Sequence, residues 1–392
     1  MTATLPRVVV IGAGFTGAAT AHDLALRGFQ VTVVERGEIT SGTSGRCHCL
    51  LHSGGRYCVK DQEAASECID ENFILRKIMP DVLELNDGLF VAFDEADLVF
   101  QEKFVQGCES CHIPFQVLTR QQTLALEPNL TPTLLGAVRV PDGVFEALRF
   151  ALTFLSTARK NGAQVFTYHQ VVDLLRDGTG TVAGVRVVDR ARREMKDIPA
   201  DIVVNATGPW VGEITALAGI AVPIVPTPGV MISLNKRVCN LVINKMNKPS
   251  DGDIIVPQRQ SSLIGTTSWV TESADYIPIP QDHVKLMRER GAAMSPILGQ
   301  AQMRGAFAVA RPLIGSASAG DARELSRTFE CFDHAKQGIE GFVTITGGKA
   351  TTARAMAEKT VDIVCRKLGI DVPCRTKDTP LISYRRYYAQ AA

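Results

Sequence analysis

The sequence has almost no excess charge of either sign. Its 42 lysines and arginines face 41 aspartates and glutamates, a net +1 over 392 residues. That excludes a broad surface for nucleic acid or an anionic membrane and leaves any basic site local. It also lacks an apolar run long enough to span a bilayer. The opening MTATLPR leads directly into a strand-like segment without the features of a signal peptide, which points to the cytoplasm. No repeat, low-complexity tract or linker is visible. The ten cysteines show no disulfide framework. Cys108 and Cys111 form a lone C-x-x-C with no second pair elsewhere, so a four-ligand metal centre is not expected. What is present, 45% hydrophobic and 21% charged residues, implies a sizeable core. The length suits two domains, or one with a large insertion.

The most informative stretch is RVVVIGAGFTGAATAHDLALRGFQVTVVE, residues 7–35. RVVVI reads as a strand buried on both faces. Gly12, Gly14 and Gly17 then give G-x-G-x-x-G, an alanine-rich helix runs to about Gly28, and VTVV ends at Glu35. Gly12 permits the tight turn, Gly14 lets a pyrophosphate approach the backbone, and Gly17 lets helix and strand pack closely. The helix N-terminus offers N–H groups and a positive dipole end to phosphate. Glu35 is placed to accept hydrogen bonds from a ribose. Strand, glycines, helix, strand and acid together predict dinucleotide binding, although the acid does not separate NAD from FAD. Two further stretches repeat the pattern of a strand running into glycine: DIVVNATGPW at 201–210 and FVTITGGKATTAR at 342–354. Three such strand ends, far apart in sequence, suit a long cofactor touched along its whole length.

Between these points, residues 61–79 read as an amphipathic helix, and further helices are expected near QEKFVQGCESC and over FEALRFALTFLSTARKNG. QVFTY, QVVDLLRD and VAGVRVVD form a ladder of short strands. Residues 222–270 are mostly strand-like, with DIIVPQRQSSLIGTTSW as a hairpin. Because the nucleotide-binding pieces recur around two insertions, two interleaved domains are expected. The basic, aromatic tail LISYRRYYAQAA reads as a frayed terminus or a peripheral contact. The segment LLHSGGRYC, residues 50–58, sets His52 and Arg56 either side of a glycine pair. That is either a tight turn or backbone lying against a ligand.

With these segments in view, the chain resembles the flavin-dependent glycerol-3-phosphate dehydrogenases of the D-amino-acid-oxidase-like superfamily, most closely the catalytic A subunit of the anaerobic type. The resemblance spans nearly the whole chain: VVIGAGFTGAATAHDLALRG, LLHSGGRY, NKPSDGDIIVP, SLIGTTS, ARPLI, GFVTITGGK and VCRKLG. It implies an α/β chain in which a Rossmann-type FAD-binding domain (1–80, 146–215 and 306–375) interleaves with an α+β substrate domain (81–145 and 216–305). The substrate domain would be built on a mostly antiparallel sheet, with a tail at 376–392. It implies oxidation of the secondary alcohol of sn-glycerol 3-phosphate to dihydroxyacetone phosphate, with hydride passing to FAD. Electrons would leave to a quinone or an iron–sulfur partner subunit, through which the chain would meet the inner face of the membrane.

Carried over by position, Arg56, Arg311 and Lys349 match the family's substrate-site cations, and His52 matches its histidine near the flavin. Val171 matches an adenine-side contact, and Ser44, Gly208 and Gly348 match flavin-side positions. Thr16, Arg36, Ala206, Gly347, Ala350 and Thr351 complete the expected cofactor contacts. Arg311 interrupts the apolar run FAVARPLI, where an unpaired charge would be costly. His52 is either the base that takes the hydroxyl proton or a structural contact. Departures from the family accompany the matches. Ala350 and Ala353 replace a large aliphatic and a tyrosine, Cys47 and Cys49 replace an asparagine and a glycine, and the sequence ends without the family's cysteine-rich C-terminal domain. Two alternatives therefore stay open: a related flavoenzyme acting on a 2-hydroxy acid, an amine or another sugar phosphate, and a non-catalytic flavoprotein subunit.

Overall fold

The computed structural model describes residues 5–315 and 328–389. RVVVI forms the strand Arg7–Ile11 inside a six-stranded sheet. Gln30–Val34 and Ile202–Asn205 flank it, both parallel. Gln164–Phe166 and Phe342–Gly347 extend the parallel set outward, and Phe329–Asp333 closes one edge antiparallel. Alternate residues of the central strand serve different cores, as a pleat requires. Val8 and Val10 pack against the helices Phe15–Leu26, Ala147–Lys160 and Ala353–Lys367, through Leu24, Phe150, Phe154 and Val361. Val9 faces the opposite way, onto Val185 and Val187 of a three-stranded antiparallel sheet. That second sheet is His169–Arg176, Val182–Asp189 and Glu194–Pro199. The continuous apolar run is thus a strand covered on both sides, as its composition predicts.

An eight-stranded sheet forms the other half of the molecule, in the order Met303–Ile314, Ile224–Leu234, Ser261–Gly265, Ile254–Gln258, Val242–Lys245, Gly88–Ala92, Gly136–Val140, Gln116–Thr119. All its pairs are antiparallel except Val242–Lys245 with Gly88–Ala92. The expected hairpin is present, with Ile254–Gln258 pairing to Ser261–Gly265. Met303–Ile314 pairs along the whole of Ile224–Leu234, so the boundary expected at 306 falls inside a strand of the eight-stranded sheet. Short strands Leu50–Leu51, Gly143–Phe145 and Leu83–Glu84 make a small fourth sheet that fixes the start of LLHSGGRYC.

The helix expected at 61–79 runs Gln62–Ile78, with the Asp61 carboxylate accepting from Ala64 N–H. As far as Ala389 the tail corrects the expectation of a frayed end, and residues 390–392 lie outside the described residues. Leu381 N–H donates to Ile78 O at 2.8 Å, and Ile382 N–H donates to Thr157 Oγ1 at 3.1 Å. Arg159 donates to Tyr387 O at 2.7 Å and stacks over the Tyr387 ring, which is 7% exposed. The partners of these groups come from distant helices, so no local pattern announces the docking. Glu194–Pro199 is a further addition to the expected elements. It is exposed along most of its length and shows no apolar alternation, because it is an edge strand. Among the described residues no helix is long and apolar enough to cross a membrane.

Candidate active site

The glycine turn is built as its spacing demands. Gly12 has φ +102°, and a Cβ there would lie 2.8 Å from Ala206 O. A Cβ on Gly17 would lie 2.0 Å from Gly12 O, so only glycine lets the helix start this close to the strand end. The helix opens after Gly14, which has no side chain of its own to cap it. Phe15 N–H donates to Ser44 Oγ at 3.0 Å. Glu35 accepts from Ala13 N–H through one carboxylate oxygen and from Gly37 N–H through the other, each at 2.9 Å. Each oxygen keeps a second lone-pair site for a ribose hydroxyl. Gly208, Gly347 and Gly348 also sit at positive φ, turning the other two strand ends toward the same place.

All three strand ends open on one cavity of about 800 Å³. Its wall contains Gly12, Gly14, Thr16, Glu35, Arg36, Ser44, Val171, Ala206, Gly208, Gly347, Gly348 and Ala350, with His52, Arg56, Arg311 and Lys349. Two residues expected to touch the cofactor do not line it. Gly17 serves the helix–strand approach instead. Thr351 is fully buried behind the wall, where its Oγ1 accepts the His52 backbone N–H at 3.0 Å.

The cations differ in how they are held. Arg56 donates to Asp253 Oδ1 at 2.6 Å, and the Asp253 side chain is 2% exposed, so a carboxylate offsets most of that charge. Neutral oxygens hold Arg311: its Nε donates to Thr227 O at 3.1 Å, and Nη2 donates to Pro228 O at 2.8 Å and Thr267 O at 3.0 Å. Nη1 donates to Thr266 Oγ1 at 3.2 Å. These acceptors fix the guanidinium plane. The Lys349 ammonium sits 5.0 Å from the Tyr57 ring centroid, a cation–π contact.

His48 is an addition to the expected site. Its ring lies 5.7 Å from that of His52 and lines the same cavity. Burial first, then the positive Arg56 and Arg311, pull its pKa down to about 4. Its Nδ1 accepts the Leu50 N–H at 3.2 Å, which leaves the proton of the neutral ring on Nε2. The signal for it lies in HCLLH: on extended backbone 48, 50 and 52 share a face, and all three line the cavity. At the far end, Trp210 is a second addition, and no local pattern marks it. It packs under the Arg36 guanidinium at 4.3 Å, and both donate to Asp275.

The departures from the family separate here. Ala350 and Cys47 line the cavity, whereas Ala353 is 1% exposed in the helical core and Cys49 is buried. Arg354, the last residue of GGKATTAR, is structural. It is 1% exposed and donates to Glu71, Glu358 and Thr376. Cys108 Sγ lies 3.9 Å from Cys58 Sγ inside an apolar cluster with Phe90 and Phe104. Among the described residues no group of three or more His, Cys, Asp or Glu is placed to hold a metal ion.

A parallel sheet with this glycine turn at its strand ends, and a cavity running from an acid to a cluster of cations, defines a dinucleotide-dependent oxidoreductase. The family described as DAO, FAD dependent oxidoreductase, matches residues 7–362. The A subunit of the anaerobic glycerol-3-phosphate dehydrogenase of Escherichia coli is 41% identical over 377 residues, 95% of this chain and 69% of that protein. The A1 subunit of the Haloferax volcanii enzyme is also 41% identical, over 96% of this chain and 66% of its own. The structure of glycerol-3-phosphate dehydrogenase from Bacillus halodurans complexed with FAD superposes with a TM-score of 0.75. It is 26% identical and covers 97% of this chain and 68% of that one. The chain belongs to the DAO family of FAD-dependent oxidoreductases and, within it, to the A subunits of the anaerobic glycerol-3-phosphate dehydrogenases. FAD fits the residues present: the glycine cradle that a Cβ would fill, the retained acceptor capacity of Glu35, and a cavity that continues past both.

Proposed function

We propose that the protein oxidises the secondary alcohol of sn-glycerol 3-phosphate to the ketone of dihydroxyacetone phosphate and passes the electron pair to a partner subunit or a quinone. Bound FAD supplies the two-electron acceptor for the carbinol hydride. Gly12, Gly14, Ser44, Glu35, Ala206, Gly208, Gly347 and Gly348 hold that cofactor, with Val171 and Arg36 toward its adenine end. Arg311 and Lys349 bind the substrate phosphate, and Arg56 adds donors whose charge Asp253 already offsets. Cations from two separate segments suit a dianion removed from water. His48, neutral with its proton on Nε2, donates a hydrogen bond within the cavity. His52 takes the hydroxyl proton as the hydride leaves. The observation carrying this reading is that Arg311, Lys349 and His52, from three separate segments, line the same cavity as the glycine cradle.

One observation favours a second substrate within the same chemistry. Ala350 lines the cavity where the family carries a large aliphatic side chain, which leaves room for a bulkier sugar phosphate or 2-hydroxy acid. Anaerobic mixing tests both. Flavin absorbance should bleach on addition of sn-glycerol 3-phosphate. Bleaching only by another anionic alcohol selects the second reading, and bleaching by none overturns both. Arg311→Ala should keep its flavin but lose kcat/KM by about 3–5 kcal/mol, because a buried substrate charge loses its partner. Near-normal kinetics in that variant would remove Arg311 from the site.

A further inference from the structure

Cys47 and Cys49 have no part in the roles assigned so far. They flank His48 on the segment between the turn Thr43–Arg46 and the strand Leu50–Leu51. Cys49 takes φ +60°, and the two sulfurs stand 3.7 Å apart. The Cys49 thiol also donates to Cys47 O at 3.5 Å, and Cys47 Sγ donates to Ser44 O at 3.4 Å. Ser44 is the residue whose hydroxyl receives the Phe15 N–H at the start of the glycine helix. The pair is therefore tied to the cofactor cradle itself. Cys47 lines the cavity, and Cys49 is buried behind it.

The other close pair provides a contrast. Cys58 and Cys108 are both fully buried, enclosed by Phe90 and Phe104. Their sulfurs touch, but the side chains of that cluster are apolar, and neither cysteine belongs to the cavity wall. Only the Cys47–Cys49 pair joins sulfur contact to cavity access among the described residues. The two thiols are also unequal. The contact with Cys49 holds the Cys47 pKa below the ordinary thiol value, while the same contact and burial raise that of Cys49. One sulfur is thus suited to attack and the other to remain protonated, as in thiol–disulfide exchange.

We propose that Cys47 and Cys49 form a dithiol–disulfide couple that exchanges an electron pair with the FAD bound in the same cavity. Closing the couple breaks two S–H bonds, forms one S–S bond, and releases two electrons and two protons. Opening it takes two electrons from reduced flavin and two protons, which the reduced flavin and solvent supply between them, and leaves oxidised flavin with two thiols. The dithiol then passes its electron pair to an external disulfide, small or protein-borne. That acceptor's S–S bond breaks to two thiols as Cys47–Cys49 closes again. The inference rests on FAD binding and not on the identity of the substrate, so dithionite replaces substrate in the test.

Holoprotein is oxidised with glutathione disulfide, freed of it and divided. One half is alkylated and digested with trypsin. Cleavage after Arg46 and Arg56 releases peptide 47–56, CHCLLHSGGR, which carries both thiols and no other cysteine. The expected product is the unalkylated peptide lacking two hydrogens, and the doubly alkylated peptide after dithionite treatment. The other half is titrated anaerobically with dithionite at the flavin absorbance. Wild type should take up four electrons per flavin, and Cys47→Ser and Cys49→Ser two each. Glutathione disulfide added to the fully reduced wild type should restore flavin absorbance at least tenfold faster than in Cys47→Ser. A doubly alkylated peptide from oxidised wild type, two electrons per flavin, or equal reoxidation in wild type and variant each overturns the proposal. If the serine variants fail to hold flavin, the peptide mass and electron count of the wild type decide it alone. Loss of the glycerol 3-phosphate reading would leave all three measurements unchanged.

Discussion

Asp142 sits behind the turn that carries His52. It is 2% exposed, and its Oδ1 accepts the Ser53 N–H at 2.7 Å. Burial pushes its pKa up from 3.8 to about 6. The folded state therefore holds this proton more tightly than the unfolded chain does. The stabilisation is complete below pH 3.8 and is lost as pH rises through about 6. Asp142→Asn keeps an oxygen for Ser53 but cannot ionise. It should flatten this part of the stability profile and be more stable than wild type at neutral pH, by at most about 3 kcal/mol. Urea midpoints across a pH series check this. His48 makes the complementary case. Its depressed pKa keeps the ring neutral from about pH 5 upward, so it does not titrate where enzymes of this kind work. His48→Ala should lower kcat/KM while leaving the shape of its profile between about pH 5 and 8 unchanged. Disappearance of an acid limb in that variant would make His48 the titrating group. Neither assignment is legible in the sequence, because a pKa follows from neighbours that only folding supplies.

Among the elements, the strand–glycine–helix unit is legible in full, since each part is local and each glycine has a steric reason. Gly17→Ala tests it directly. A methyl group 2.0 Å from Gly12 O must push the helix off the strand, costing about 1–3 kcal/mol. The purified variant should be colourless or lose flavin on dilution, and a fully yellow, stable variant would show that the close approach is dispensable. The helix Ala353–Lys367 is less transparent. Its first turn follows the cofactor glycines, yet Arg354 in that turn does not serve the cavity. Instead, it ties this helix to Gln62–Ile78 through Glu71, whose side chain is 5% exposed. Arg354→Met leaves Glu71 buried without its cation and should lower stability by about 3–5 kcal/mol. Thermal unfolding measures that loss, while the flavin spectrum of the folded variant should be unchanged. An altered spectrum with normal stability would overturn this and tie Arg354 to the cofactor.

At the scale of the molecule, the tail closes over the nucleotide-binding half. Truncation before Pro380 removes the Leu381 and Ile382 hydrogen bonds and the burial of Tyr387. The loss should be on the order of 3 kcal/mol, read as a lowered urea midpoint, and an unchanged midpoint would mean the docking contributes nothing. The sequence by itself determined most of the elements and the class of cofactor, a dinucleotide. Alternation, apolar runs and glycine spacing act within a few residues, so RVVVIGAGFTG carries its own geometry wherever it is placed. Only the tertiary structure decided that Arg56 meets the Asp253 carboxylate and that oxygens of Thr227, Pro228, Thr266 and Thr267 fix the plane of Arg311. It alone also decided which histidine stays neutral, that Thr351 stands behind the wall, and that two cysteines touch at its face. Those outcomes depend on Asp253 reaching Arg56, Thr227 reaching Arg311, and Arg56 and Arg311 reaching His48 through the fold. Electrostatics and contact are properties of distance in space, which distance along the chain does not encode.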